Sequence, residues 1–247
     1  MQEMHQHYNA VLVVLSYVVS VLGSFTALQF ALGISQAQTS GQRWAAVLAA
    51  GTAMGGGAIW AMHFIAMIAC NMGVQVTYDM VLTAISALLA IVACSIGLAV
   101  VSAGAFSWLN LVFAGVLMGL GVAGMHYLGM AAMLTSAQIS YDGGLVVLSV
   151  LIAIVASMAA LWLAFNLRGR LQMLGSALVM GVAVCGMHYT GMSAVEMGMG
   201  DTLPAGFAQG LSGDYLGMVV FGVVVVLLAL ALGLNIVRQQ RRAALTI

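Results

Sequence analysis

Seven stretches of this chain, approximately 9–33, 44–69, 79–101, 108–135, 143–167, 172–197 and 216–237, stay apolar for at least about the 20 residues that cross a bilayer. Hydrocarbon offers no water to the backbone, so a spanning segment must be a helix or one strand of a closed barrel. A barrel strand alternates apolar with polar residues, and these runs do not alternate. The single proline, Pro204, falls between the sixth and seventh runs and interrupts none of them. The expected fold is an all-α polytopic membrane protein of seven transmembrane helices, occupying 1–237 and followed by a short Arg-rich tail, 238–247. Most runs are separated by polar breaks; the faintest break is Ser102 to Ser107.

The few charges orient these helices. Only 5% of the residues are charged, against about 25% in a typical soluble domain. Every cation is an arginine: Arg43, Arg168, Arg170, Arg238, Arg241 and Arg242. With seven spans these all fall on one side, while Glu3, Asp79, Asp142, Glu196, Asp201 and Asp214 fall on the other. The positive-inside rule makes the arginine side cytoplasmic, with the N-terminus outside and the C-terminus in the cytoplasm. The start, Met1 to Asn9, lacks a basic n-region, so the first helix is expected to persist in the mature protein. The absence of lysine excludes a retinal Schiff base, and a formal net charge of zero gives no nucleic-acid footprint. Cys70, Cys94 and Cys185 lie in apolar runs, where a buried thiol is the simplest expectation.

Inside the even-numbered runs one motif occurs three times: Ala61-Met62-His63-Phe64-Ile65-Ala66-Met67, Gly124-Met125-His126-Tyr127-Leu128-Gly129-Met130 and Gly186-Met187-His188-Tyr189-Thr190-Gly191-Met192. The histidines are 63 (126 − 63) and 62 (188 − 126) residues apart. Each has a glycine seven residues earlier, namely Gly56, Gly119 and Gly181. The odd helices share a second pattern, Tyr8-Asn9, Tyr78-Asp79 and Tyr141-Asp142, with a serine eight residues after each tyrosine (Ser16, Ser86, Ser149). Asn and Asp are good N-caps, and Tyr suits the membrane interface. The unit is a two-helix hairpin, giving three parallel repeats about an axis along the membrane normal plus a seventh helix. Parallel repeats place the three histidines at one depth. Eight to ten residues below the outer helix ends corresponds to roughly 12–15 Å.

An imidazole is costly in lipid, so three in register imply a shared task. Residues i and i+4 lie on one helix face, so His63 with Met67, His126 with Met130, and His188 with Met192 can point at a common centre. Small residues beside each histidine allow close helix approach. Imidazole suits several transition metals and thioether particularly favours Cu(I), so copper fits best. Met62, Met125 and Met187, about 100° away around each helix, are candidates for a wall flanking the ligands or for a secondary metal contact. His5 and His7, on the outer tail, are candidates for a secondary metal site. Glu196, Met197 and Met199 suggest an entry path, and Cys185 is an optional ligand without a counterpart at Trp60 or Ala123. Packing alone would explain the methionines and glycines but has no need of histidine.

The sequence Met187-His188-Tyr189-Thr190, its two relatives, the Gly55-Gly56-Gly57-Ala58-Ile59-Trp60 approach, and the first-helix segments Leu15-Ser16-Tyr17 and Gly23-Ser24-Phe25-Thr26-Ala27-Leu28 resemble the MHYT domain family over nearly the whole chain. The resemblance implies a seven-helix membrane sensor, with copper held near the outer face by His63, Met67, His126, Met130, His188 and Met192. It also implies a diatomic gas, oxygen, carbon monoxide or nitric oxide, as the signal. Phe64 departs from the motif tyrosine, which leaves only a steric role common to all three aromatics.

The expected function is thus a copper-binding sensor in the bacterial inner membrane, responding to a diatomic gas or to redox state. Many members of that family continue into cyclic-di-GMP or kinase domains. With the sequence stopping at Ile247, signalling here is expected to need a separate cytoplasmic partner. A copper-handling, redox or transport protein, and a b-type haem protein with His-Met or bis-His ligation, are the alternatives. No hydrolytic or nucleophilic constellation is present, and the chain is not expected to be an enzyme.

Overall fold

The computed structural model describes residues 7–166, 169–198, 200 and 202–244. Among the described residues, seven helices are long and apolar enough to cross a membrane. They are α1 (Ala10–Ser35), α2 (Ser40–Ala69), α3 (Met80–Val101), α4 (Trp108–Ala131), α5 (Gly143–Asn166), α6 (Arg170–Ser193) and α7 (Gly213–Ala244). The faint break is real: the chain leaves the helix after Val101 and turns through Gly104, whose φ of 103° suits only glycine.

The expected caps start the odd helices. Asn9 Oδ1 accepts from the Val11 and Leu12 amides, Asp79 Oδ1 from Leu82, and Asp142 Oδ1 from Leu145. Each cap residue also donates its own amide to the end of its partner helix: Asn9 to the Ala69 carbonyl, Asp79 to Ala132 and Asp142 to Ala194, at 2.9, 2.8 and 2.8 Å. The same bonds at three equivalent positions make the repeat a structural one.

Two apolar runs end sooner than the sequence suggests. Helix α4 stops at Ala131 and α6 at Ser193, because the apolar residues beyond them form strands. Short strands β1 (His7–Tyr8), β2 (Cys70–Asn71), β3 (Thr77–Tyr78), β4 (Met133–Leu134), β5 (Gln138–Tyr141), β6 (Val195–Gly198) and β7 (Leu211–Ser212) lie at this end of the bundle. Antiparallel pairs place Tyr8 opposite Cys70, Tyr78 opposite Met133 and Tyr141 opposite Val195, again once per repeat. Pairing satisfies backbone groups that an apolar but non-helical segment would otherwise leave bare. Desolvation raises the Tyr8, Tyr78 and Tyr141 phenols above their ordinary pKa; Tyr78 is buried, while Tyr8 and Tyr141 remain partly exposed in their strands.

Helices α1 to α6 form a ring in sequence order that closes where α6 packs on α1. The Tyr17 hydroxyl helps to close it, donating to the Leu178 carbonyl at 3.3 Å. Helix α7 lies against α1 and α2. Small residues set the close approaches. A Cβ on Gly119 would run into the backbone of Ile154, and one on Gly55 into the backbone of Ala90 and Ile91. Since Ala90 and Ile91 correspond to Ala153 and Ile154 one repeat on, Gly55, rather than Gly56, is the structural counterpart of Gly119. The cause is a π-helical segment, Ala53–Trp60, within α2. A π turn takes in one extra residue, and the sequence spacing conceals it.

Candidate metal centre

His63, His126 and His188 come together at the centre of the ring, each fully buried. The His63 and His188 Nδ1 atoms are 3.0 Å apart, and those of His126 and His63 are 3.2 Å apart. Potential ligand atoms from all three lie within 4.8 Å of one another. The rings meet edge to face, with centroids 5.0, 5.0 and 5.2 Å apart. Their helices end 6, 5 and 5 residues later (69 − 63, 131 − 126, 193 − 188). The centre is therefore roughly 8–9 Å below the helix ends, shallower than the sequence predicts because the strands begin early.

This arrangement is not self-sufficient as a hydrogen-bonded cluster. A neutral imidazole nitrogen either donates one proton or accepts through one lone pair. Where three Nδ1 atoms crowd one point, a proton satisfies only two of them. A cation on that point accepts all three lone pairs, and nitrogen–metal bonds of about 2 Å suit so small a triangle. The three Nε2 atoms must then carry the protons. All three are buried and have no hydrogen-bond partner among the described residues, whereas ligating histidines usually anchor that proton on a carbonyl, carboxylate or water. The residues thus fit a small cation held by Nδ1, with ring orientation fixed by packing.

That packing is cyclic. A Cβ on Gly129 would collide with His63 Nε2, and one on Gly191 with His126 Nε2. The motif glycine of one repeat therefore leaves space for the histidine of the repeat before it. Ala66 stands at the equivalent position of the first motif. The motif aromatics flank the rings, with Phe64, Tyr127 and Tyr189 at 4.8, 4.8 and 5.0 Å from the neighbouring histidine centroids. Each packs edge-on against the strand tyrosine of the following repeat: Phe64 on Tyr78, Tyr127 on Tyr141, and Tyr189 on Tyr8. A steric role shared by Phe and Tyr accounts for the departure at Phe64.

Two of the repeated serines, which sequence reasoning left without a task, belong to this shell. Ser149 Oγ lies 2.7 Å from the Tyr127 hydroxyl. Phe64 has no hydroxyl, and the Trp60 indole N–H donates to Ser86 Oγ at 3.1 Å in that repeat. Trp60 stands where the other repeats have Ala123 and Cys185, which supplies a reason for its irregularity.

The other predicted residues are distributed differently. Met67, Met130 and Met192 are buried, as are Met62, Met125 and Met187. Met187 lines a cavity beside Met54, Met118 and Met180. His5 and Met199 lie outside the described residues. His7 is exposed in β1, paired across from Asn71, and does not join the histidine cluster. Glu196 is exposed on β6 beside Ser140, and Met197 packs partly against the core.

Comparison with known proteins agrees with this repeat. The family model described as the bacterial signalling protein N-terminal repeat matches residues 56–114, 119–177 and 181–247. The bifunctional diguanylate cyclase/cyclic di-GMP phosphodiesterase MucR of Pseudomonas aeruginosa is 38% identical over 96% of this chain and 35% of its own length. The cyclic di-GMP phosphodiesterase NbdA of the same organism is 35% identical, covering 81% of this chain and 25% of NbdA. The signaling protein YkoW of Bacillus subtilis is 31% identical, covering 78% of this chain and 24% of YkoW. The chain thus spans about a third or less of the length of these relatives. No solved structure matches it. Three matched repeats on a seven-helix bundle make this a multi-pass protein of the bacterial inner membrane, and the chain belongs to the MHYT family.

Proposed function

We propose that this membrane signalling domain is a copper-dependent sensor, with His63, His126 and His188 as nitrogen ligands and Met67, Met130 and Met192 as thioether candidates. The observation that carries the reading is the crowding of Nδ1 atoms at 3.0 and 3.2 Å with no other partner for a third lone pair. The absence of carboxylate from the cluster and the surrounding apolar wall favour a soft, low-charge ion, Cu(I) over Zn(II). When bound, copper supplies an open coordination position for a diatomic gas, or a redox change. The protein's part is to hold three lone pairs together, exclude water and couple the ring positions to the helix seams at Gly129 and Gly191.

A signal then needs a ligand that binds two packings of the ring unequally. The tight glycine contacts are the seams such a shift would move. The motif face is the external one in this reading, with the arginine loops and the C-terminus cytoplasmic. Output passes to cytoplasmic cyclic-di-GMP or kinase machinery, whether on a longer chain or a separate partner, and the chain described here is not itself a catalyst. The names of the relatives support a signalling context of this kind. A haem reading has less support, because rings in edge-to-face contact leave no slot for a porphyrin between them.

The test is infrared spectroscopy of the reduced, copper-loaded protein under carbon monoxide. The reading expects a band that shifts with ¹³CO and is lost in His126→Ala. A copper-loaded protein with no such band contradicts gas binding.

A further inference from the structure

Below the histidines, on the side away from the strands, the ring leaves a small, partly open cavity of about 30 Å³. Its lining includes one methionine from each repeat: Met54, Met118 and Met180. All three are buried, at 1, 2 and 5% exposure. Met118 and Met180 stand eight residues before their histidines (126 − 118, 188 − 180), whereas Met54 stands nine before His63 (63 − 54). Nine residues of regular helix would rotate Met54 by about 100° relative to its counterparts. The π segment Ala53–Trp60 absorbs that residue and returns Met54 to the shared cavity. Met187, next to His188, lines the same space and connects the two levels.

We infer that Met54, Met118 and Met180 form a second soft-metal site, for a monovalent thiophilic ion, Cu(I), about 12 Å along the axis from the histidine centre. Methionine in an apolar core is ordinarily packing material, and two features set this group apart. The first is the threefold recurrence with its compensating π turn. The second is Ser24 Oγ, which is buried in the cavity wall without a partner among the described residues. A buried hydroxyl without a partner is a desolvation cost that a bound cation relieves. The chemistry selects the ion. Thioethers are neutral and soft, and no carboxylate lines the cavity, so nothing there balances a divalent charge. The site extends the metal path from the histidines inward with sulfur in place of polar oxygen.

The experiment is an anaerobic Cu(I) titration of the purified full chain in detergent, against a chromophoric Cu(I) chelator, repeated with Ag(I). Variants are M54L/M118L/M180L, which keeps volume while removing sulfur, the single variant Met180→Leu, and His126→Ala. The wild type should bind two ions and the triple variant one. Met180→Leu should weaken one binding step at least about tenfold and spare the other. One ion in the wild type, lost in His126→Ala and kept in the methionine variants, overturns the second site and leaves the histidine centre standing. One ion that survives His126→Ala and is lost in the triple variant supports the methionine site and contradicts the proposed histidine function. Two ions with unchanged affinities in folded M54L/M118L/M180L or Met180→Leu also overturn the inference.

Discussion

His63 and His188, 125 residues apart in sequence, face each other Nδ1 to Nδ1 at 3.0 Å inside an apolar bundle. No arrangement of protons satisfies these two and His126 together, so the cluster has an energetic reason to take up a cation. Metal binding should therefore stabilise the fold. With free copper at about 100 times its dissociation constant, linkage contributes about 2.7 kcal/mol. Thermal unfolding in detergent should shift upward with copper in the wild type and by clearly less in H63A.

The glycine beside each ring is a second point of control. A methyl on Gly191 would sit 2.9 Å from His126 Cδ2 and closer still to Nε2. Gly191→Ala should displace that imidazole, costing about 1–3 kcal/mol in packing and reducing copper affinity at least about tenfold. Ala66→Gly, at the equivalent position of the first motif, should leave affinity within about threefold of wild type. A copper competition assay on both variants checks the contrast.

The Tyr127 hydroxyl and Ser149 Oγ, 2.7 Å apart, join two repeats just outside the rings. Tyr127→Phe should cost about 1 kcal/mol of stability, as should Ser149→Ala. The double variant should cost less than the sum, because both substitutions remove one bond. Denaturant unfolding of the three variants measures the coupling.

The proposed orientation rests on the arginines. On the orientation proposed from the positive-inside rule, a fluorescent protein fused after Arg242 should fold and fluoresce, while alkaline phosphatase at the same point should be inactive. The reverse pattern contradicts the orientation.

Much of this arrangement is legible in the sequence. Apolar run lengths locate the seven helices, Asn9, Asp79 and Asp142 announce three helix starts, and the histidine spacing points to one buried centre. What escapes has physical causes. Met133–Leu134 are apolar enough to continue a helix, and Val195 and Met197 extend the sixth apolar run, yet both segments pair with strands from distant loops. The π segment is hidden by the run Gly55-Gly56-Gly57, which offers more than one glycine to align with Gly119. The cyclic contacts, Tyr127 on Tyr141 and Gly191 against His126, join one repeat to the next and so leave no mark within any single motif.

The central claim rests on a metal at the three histidines. Copper content of the purified protein and of His126→Ala, measured by inductively coupled plasma mass spectrometry with an absorption spectrum of each sample, tests it most directly. The wild type should carry copper with no Soret band, and His126→Ala should carry one equivalent less. A wild type that binds no copper when supplied with it, or a folded His126→Ala with an unchanged copper content, would contradict the account.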